Sequence, residues 1–360
     1  MKKWTRAAAG FASVLLTAVG VMCVAVRLPE GTGQKAAAAA AGFIIPAGNT
    51  DGFFRVEEEE GSISSRLPSG STSGQPAVSG QSSASESAQS SQGLSSALSS
   101  VPSPQVSGSH KFLELSVQNS GTQVGDIWVK NSTEHHGAID LAQELQKIPA
   151  VKIQKSTSPQ VLIYHTHTTE SYDFSERTTD KTQSVCAVGD AIAQELQSAG
   201  IGVLHDTTYH DYPAYDGSYD RSRATMMSDL KKYPGIQVTL DIHRDAMHRN
   251  DGTYLKTTTV VNGKKAAQLM IVAGCDDDGT LGFPNWEYNL RLALRLQKCV
   301  SDNYPGLARP LDFGATIYNE NVTKGSLLIE IGTDANTLDE SKYTGQLLGK
   351  SLAQVLGGLT

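Results

Sequence analysis

VLIYHTHTTESY (residues 161–172) is the stretch that decides how the rest of the chain is interpreted. Its first four residues are apolar or aromatic and predict a buried strand. His165, His167 and Glu170 follow at the end of that strand. In open α/β sheets, binding sites form beyond the carboxyl ends of the strands. The stretch therefore predicts both a sheet and a polar site at its edge.

The segments around this stretch alternate between strand and helix patterns, which predicts an α/β fold: a mixed β-sheet sandwiched between helices. Residues 182–199 carry apolar residues at spacings of three and four, and Gly200 is a suitable end for this helix. Asn262 and Gly263 predict a hairpin turn. Further strands are predicted at 112–118, 126–131, 201–206, 236–243 and 326–332, and further helices at 139–148, 221–232, 286–302 and from 337 onward.

The N-terminus has the pattern of a membrane anchor. Residues 7–26 contain no charged residue, and Lys2, Lys3 and Arg6 precede them. Such a stretch is long enough to cross a bilayer, and the positive residues predict a cytoplasmic N-terminus with the remainder of the chain outside. The alternative is a cleaved signal peptide, for which the alanine run at 36–41 offers a cleavage site. Both interpretations place the rest of the chain outside the cytoplasm.

Composition divides the 360 residues into four parts. Residues 1–30 form the cytoplasmic N-terminus and anchor, and residues 31–61 carry no assignable pattern. Residues 62–110 are rich in serine, glycine and glutamine, so they cannot bury enough surface to fold and predict a disordered linker. Residues 111–360 have the strand and helix patterns typical of a globular domain. The net charge of −7, without a basic stripe, argues against nucleic acid as a partner.

Three polar clusters follow or interrupt three predicted strands, which brings candidate metal ligands together. The first holds His167 and Glu170, and His243 ends the strand VTLDIH. Two imidazoles and one carboxylate are the usual protein ligands of a catalytic zinc, whose fourth position holds water. Glu330, within the apolar run LLIEIG, is costly to bury without a partner and is the candidate general base and acid.

Residues close in sequence to His167 and His243 are candidates for contact with substrate. Alternate residues of a strand share a face, so His165 and His167 compete for the metal. The His-x-x-Glu spacing favours His167 as the ligand and leaves His165 beside the site, in contact with substrate or intermediate. Arg244, Asp245 and His248 follow His243 closely in sequence and are candidate substrate-binding residues.

The motifs YHTHTTESY (164–172), LDIHRDA (240–246) and LLIEIGTDAN (327–336) closely resemble the stage II sporulation protein P family, as does VGDIWVKNSTEHHG (124–137). The resemblance covers essentially residues 112–357. It implies a membrane-anchored hydrolase that degrades peptidoglycan during forespore engulfment and is similar to zinc-dependent N-acetylmuramoyl-L-alanine amidases. An added endopeptidase activity on peptide cross-links is implied as well. The implied partners are sporulation proteins D and M, of which D cleaves the stripped glycan strands.

Two alternatives to the amidase remain open from the sequence. The order His-x-x-Glu…His, with a glutamate on a late strand, is also similar to zinc carboxypeptidases. A carboxypeptidase that trims stem peptides needs a cation for the terminal carboxylate, and Arg244, Arg221 or Arg223 are the candidates. The second alternative is a wall-binding scaffold whose site is degenerate. Metal content separates that scaffold from both enzymes.

Overall fold

The computed structural model describes residues 104–134 and 139–359. The predicted anchor, the segment 31–61 and most of the predicted linker lie outside these ranges. The last residues of the linker are described and already form a strand. Over the described ranges, no helix combines the length and the apolar character needed to span a membrane.

Twelve strands and five α-helices make up the described part of the chain, and two short 3₁₀ turns lie at 181–183 and 320–322. The strands are β1 (Gln105–Ser107), β2 (His110–Leu115), β3 (Thr122–Val124), β4 (Ile127–Asn131), β5 (Val161–Tyr164), β6 (Val203–His205), β7 (Val238–Asp245), β8 (Tyr254–Val261), β9 (Lys264–Ala267), β10 (Leu269–Gly274), β11 (Leu311–Gly314) and β12 (Ser326–Thr333). The helices are α1 (Leu141–Gln146), α2 (Val185–Ser198), α3 (Ser218–Lys232), α4 (Trp286–Asn303) and α5 (Leu338–Gly357).

The main sheet has eight strands in the order β3-β4-β11-β10-β12-β7-β5-β6. The run β12-β7-β5-β6 is parallel, and so are β4-β11 and β11-β10, whereas β3-β4 and β10-β12 are antiparallel. A smaller sheet has the order β1-β2-β8-β9. The mixed sheet predicted from the sequence is thus confirmed, and it is accompanied by a second sheet.

The main sheet lies between helices, as predicted. Ile242 of β7 and Ile331 of β12 belong to one large core that also contains residues of α2, α4 and α5. Leu162 and Tyr164 of β5 pack on the opposite face with Met226 of α3. Because apolar side chains are buried on both faces of the sheet, the sequences of β5, β7 and β12 are nearly continuous apolar runs.

The helix ends and the hairpin turn lie at or close to their predicted positions. Ser184 caps α2, so the predicted helix over 182–199 begins with a 3₁₀ turn and becomes α-helical only at Val185. Gly200 has a positive φ of 83°, as expected of a residue that ends a helix. The turn between β8 and β9 has positive φ at Asn262 and Gly263, which confirms the hairpin. Thr337 and Glu340 form a capping box at the start of α5.

Gly332 lies in an irregular part of β12, two residues after Glu330. The pairing of β12 with β7 shifts register between Glu330 and Thr333, and Gly332 has a φ of 71°. A Cβ at this position would lie 3.0 Å from both Ala267 Cβ and Ser341 Oγ. Glycine is required because a side chain would be both strained and crowded.

Candidate active site

The register of three neighbouring strands brings the predicted polar clusters to one place. Tyr164 of β5 pairs with Asp241 of β7, and His243 of β7 pairs with Glu330 of β12. Partners in a parallel pair present their side chains on the same face of the sheet. Asp241 and His243 are two residues apart on β7, so they share this face with Glu330.

His167 and Glu170 reach this face from the turn that follows β5. Glu170 N donates to His167 O at 3.1 Å, so the turn that the His-x-x-Glu spacing predicts is present. Glu170 Oε2 accepts a hydrogen bond from Arg244 N at 3.0 Å and lies 3.5 Å from His243 Nδ1. The rings of His167 and His243 meet edge to face, with centroids 5.2 Å apart. The three predicted ligands are therefore neighbours.

The charges of these residues depend on one another. Burial opposes ionisation of Glu170, but His243 and Arg244 outweigh it and lower the pKa of Glu170. Burial also opposes a charge on His243, yet Asp241 and Glu170 raise its pKa well above the ordinary value, so a metal bound to this imidazole would have to displace a proton. Burial lowers the pKa of His167 to about 4, which keeps that imidazole neutral and able to bind a metal.

Asp241 connects His243 to the turn that carries His167. Its carboxylate accepts hydrogen bonds from Thr166 N at 2.8 Å and from Thr166 Oγ1 at 2.6 Å. Its Oδ1 lies 2.9 Å from His243 Nε2, a close ion pair in which Nε2 makes no well-aligned hydrogen bond. Asp241 thus faces one nitrogen of His243 while Glu170 faces the other. A carboxylate behind an imidazole is the usual means of orienting a histidine ligand.

Glu330 is buried on β12 beside His243, and its Oε2 has no hydrogen-bond partner. Burial raises the pKa of Glu330 to about 8, although His243 acts in the opposite direction. A carboxyl with a pKa near neutral is suited both to accept and to return a proton. The unpartnered oxygen is the feature expected of a group that meets substrate or solvent during a reaction.

His165 faces away from the other predicted site residues. Its side chain is fully buried, Nδ1 lies 2.8 Å from Ile242 O, and Nε2 lies 2.9 Å from His205 Nε2. His205 Nδ1 in turn lies 2.9 Å from Asp190 Oδ1. Burial lowers the pKa of His165 to about 3. His165 therefore holds the backbone of β7 just before His243, and both of its nitrogens have protein partners.

The predicted substrate-binding residues have structural partners. Arg244 donates through Nε to Ser171 O at 2.8 Å and through Nη2 to Glu176 O, so it holds the loop after Glu170. Asp245 Oδ2 pairs with Arg309 Nη1 at 2.8 Å. His248 Nε2 pairs with Asp334 Oδ2 at 2.8 Å. Of these three residues, only His248 is substantially exposed.

The two other arginines considered for a terminal carboxylate are engaged as well. Arg221 donates to the main-chain carbonyls of His210, Ala214 and Asp216. Arg223 Nη1 donates to Asn321 Oδ1 at 2.8 Å.

Sequence reasoning missed the aromatic residues around His167. Tyr215 stacks on the imidazole with centroids 4.5 Å apart and an interplanar angle of 7°. Tyr219 meets it edge-on at 5.6 Å, and its hydroxyl is buried without a hydrogen-bond partner. The only signal in the sequence is the density of tyrosines between residues 209 and 219.

The donors fit a divalent metal in kind. Two imidazoles and one carboxylate suit zinc, and ligands of one tetrahedral zinc lie roughly 3.3 Å apart, given bonds of about 2.0–2.1 Å. The 3.5 Å between His243 Nδ1 and Glu170 Oε2 agrees with that separation. Across residues 104–134 and 139–359, however, no group of three or more His, Cys, Asp or Glu side chains has the arrangement that would hold an ion.

The fold and the site define a mixed α/β domain with histidines and carboxylates gathered where three parallel strands end. The family model of stage II sporulation protein P matches residues 75–353. The chain belongs to the stage II sporulation protein P family. It is similar to the stage II sporulation protein P of Bacillus subtilis (strain 168), with 34% identity over 200 residues. That match covers 50% of this chain and 47% of the relative, so the chain spans about half the length of this curated relative.

Solved structures give weaker matches. An N-acetylmuramoyl-L-alanine amidase of Nostoc punctiforme matches with a TM-score of 0.33 and 14% identity, covering 56% of this chain and 97% of that one. A metallo-carboxypeptidase from Burkholderia cenocepacia matches with a TM-score of 0.34 and 10% identity, covering 64% and 71%. Similarity at this level does not establish a shared activity.

Proposed function

We propose that this chain is a membrane-anchored, zinc-dependent peptidoglycan hydrolase, an N-acetylmuramoyl-L-alanine amidase with endopeptidase activity that acts during forespore engulfment. The observation that carries the proposal is the convergence of His167, Glu170 and His243 beside Glu330, whose Oε2 is buried without a partner. Membership of the sporulation family supports the engulfment context and the cell wall as substrate.

His167, Glu170 and His243 would hold the zinc. A bound Zn²⁺ polarises a carbonyl oxygen and lowers the pKa of water to about 7. Asp241 would orient His243 through its contact with Nε2, and the Arg244 backbone amide donates a hydrogen bond to the Glu170 carboxylate. These partners keep the donors facing one another while substrate enters.

Glu330 moves the proton in the proposed reaction. The water oxygen bonds to the carbonyl carbon of the amide while one water proton passes to Glu330 Oε2. The C–N bond then breaks as Glu330 returns this proton to the leaving nitrogen, which gives a carboxylic acid and an amine. A pKa raised to about 8 by burial allows the same carboxyl to serve in both steps.

The arginines support cleavage of an internal amide over removal of a terminal residue. A carboxypeptidase requires a free cation for the substrate's terminal carboxylate. Arg244 and Arg221 donate to main-chain carbonyls, and Arg223 donates to asparagine side chains. None of the three candidates is thus available without loss of a loop contact.

The proposal includes a single-pass anchor in the cell membrane at residues 7–26. The N-terminus would lie in the cytoplasm and the hydrolase domain outside it. The residues between anchor and domain would restrict cutting to peptidoglycan close to the membrane. Sporulation proteins D and M are the proposed partners, on the basis of the family resemblance alone.

Mass spectrometry of the products released from purified peptidoglycan by the full-length, zinc-loaded chain tests this function. Free stem peptides and bare glycan strands would establish the amidase. Intact strands with uncrosslinked stems would reduce it to an endopeptidase, and stems shortened only at their ends would establish the carboxypeptidase instead. If zinc-loaded protein releases nothing with or without proteins D and M, the scaffold replaces the hydrolase.

A further inference from the structure

The turn that carries His167 and Glu170 has no regular secondary structure, so other contacts must fix its shape. Thr169, which lies between the two, makes the most connections. Its N–H donates to Asp211 Oδ1 at 3.2 Å, and its hydroxyl donates to Asp211 Oδ2 at 2.7 Å. Asp211 therefore holds the turn through both the main chain and the side chain of one residue.

Arg177 closes this arrangement. Its Nη2 pairs with Asp211 Oδ2 at 2.9 Å, and its Nε donates to Thr169 Oγ1 at 2.8 Å. The Asp211 side chain is completely buried, so its charge requires such a partner. A backbone bridge between Glu170 and Arg177 joins the same two segments. Thr169, Asp211 and Arg177 thus form a closed triangle beside the candidate ligands.

Tyr215 extends the triangle to the His167 ring. The Arg177 guanidinium carbon lies 4.9 Å from the centroid of Tyr215, and the Tyr215 ring stacks on His167. The Tyr215 hydroxyl is 3.2 Å from His167 Nε2. This hydroxyl is one hydrogen-bond partner of the imidazole, and Ser218 Oγ, 3.4 Å from His167 Nδ1, is the other. Tyr215 therefore fixes the plane of His167, and a metal at this imidazole would replace one of these two long hydrogen bonds.

We propose that Arg177, Asp211 and Tyr215 form a positioning clamp that sets His167 and Glu170 as metal ligands. The inference rests on the proposed function, since it assigns these three residues to the support of its metal site. They act through Thr169 and His167 and have no role in the reaction itself. Outer partners of this kind typically change metal affinity by about 10- to 100-fold when they are removed.

The test is the affinity of the full-length chain for zinc, measured by competition with a chromophoric chelator, together with the visible spectrum of the Co²⁺-loaded protein. Tyr215→Leu should weaken zinc binding by about 10-fold or more and alter the Co²⁺ spectrum, since the ligand plane is no longer fixed. Tyr215→Phe should keep the wild-type values because stacking remains. Tyr209→Leu is the matched control, a tyrosine of the same loop whose hydroxyl bonds to Thr179 O.

Arg177→Gln provides a second arm and should weaken zinc binding in the same direction. Because it leaves the Asp211 charge without its cation, thermal unfolding must be measured beside it. If Arg177→Gln does not fold, Tyr215→Leu decides the matter alone.

The outcomes separate the clamp from the proposed function. If His167→Ala loses zinc but Tyr215→Leu binds it with wild-type affinity and spectrum, the clamp is wrong and the metal site stands. If the wild-type chain binds no zinc, the proposed function fails and the clamp with it. Loss of affinity in both Tyr215→Phe and Tyr215→Leu would overturn the stacking mechanism in favour of the hydroxyl.

Discussion

Glu330 and His243 are register partners in the parallel strands β12 and β7, and both are almost completely buried. The sheet therefore fixes the distance between the proposed general base and one proposed metal ligand without relying on any loop. His167 and Glu170, by contrast, depend on a turn held by side-chain contacts. Strand pairing thus positions Glu330 and His243, whereas side-chain contacts position His167 and Glu170 on the turn after β5.

Replacing His243 by alanine should abolish tight zinc binding and hydrolysis together, because it removes one of the three proposed ligands. Metal content after dialysis and product release measure the two effects. His110→Ala is the control, because His110 lies on β2 of the smaller sheet and its ring stacks on Phe174. Zinc retained at wild-type affinity by His243→Ala would remove His243 from the ligand set.

Asp241→Asn should lower zinc affinity by about 10- to 100-fold, because the amide cannot act as the anionic partner of His243 Nε2. The variant should also lose about 1–3 kcal/mol of unfolding free energy, since one contact to Thr166 loses its acceptor. Chelator competition and urea unfolding measure these two effects. An unchanged zinc affinity in a folded variant would mean that Asp241 serves Thr166 alone.

Gly332→Ala should destabilise the domain by about 1–3 kcal/mol, because the residue combines a positive φ with a Cβ position 3.0 Å from two neighbours. Gly252→Ala is the matched control for the backbone effect, since Gly252 has a φ of 79° and nothing within 4 Å of its Cβ position. Equal losses in the two variants would show that crowding at Gly332 contributes nothing.

Glu320 predicts a pH dependence of stability outside the candidate site. Burial raises the pKa of Glu320 to about 8, although Gly274 N and Leu328 N donate to its carboxyl. The folded state thus binds this proton more tightly than the unfolded state does. The stabilisation is complete below the unfolded pKa of about 4.5 and is lost as pH rises to about 8, at no more than about 1.4 kcal/mol per pH unit.

Unfolding of the metal-free wild type and Glu320→Gln at pH 5 and pH 8 measures this contribution. The unfolding free energy of the wild type minus that of Glu320→Gln should fall as pH rises, because only the wild type loses the bound proton. Parallel pH profiles would show that Glu320 does not titrate in this range.

Much of the sheet and of the candidate site could be predicted because the responsible signals are local. The apolar runs of β5, β7 and β12, with polar residues at their ends, indicate both the strands and the place where His167, His243 and Glu330 meet. The capping box of α5 and the Asn-Gly turn likewise depend on residues adjacent in sequence.

The rest depends on contacts between segments that are distant in sequence. Spacing assigns His165 and His167 to one face only while the chain is extended, but β5 ends at Tyr164 and the two rings separate. The side chain of Arg244 donates to Ser171 O, 73 residues away, and that of Asp245 pairs with Arg309, 64 residues away. No periodicity predicts that Asp211 and Arg177 meet at Thr169.

The measurement that tests the central claim most directly is peptidoglycan hydrolysis by zinc-loaded Glu330→Gln beside the wild type, with zinc content determined in both. Glutamine keeps the size of the side chain but cannot take a proton, so product release should fall by about 10²-fold or more. Zinc binding should persist, because Glu330 is not among the proposed ligands. Hydrolysis at the wild-type rate by the zinc-loaded variant would contradict the assignment of Glu330 and the mechanism built on it.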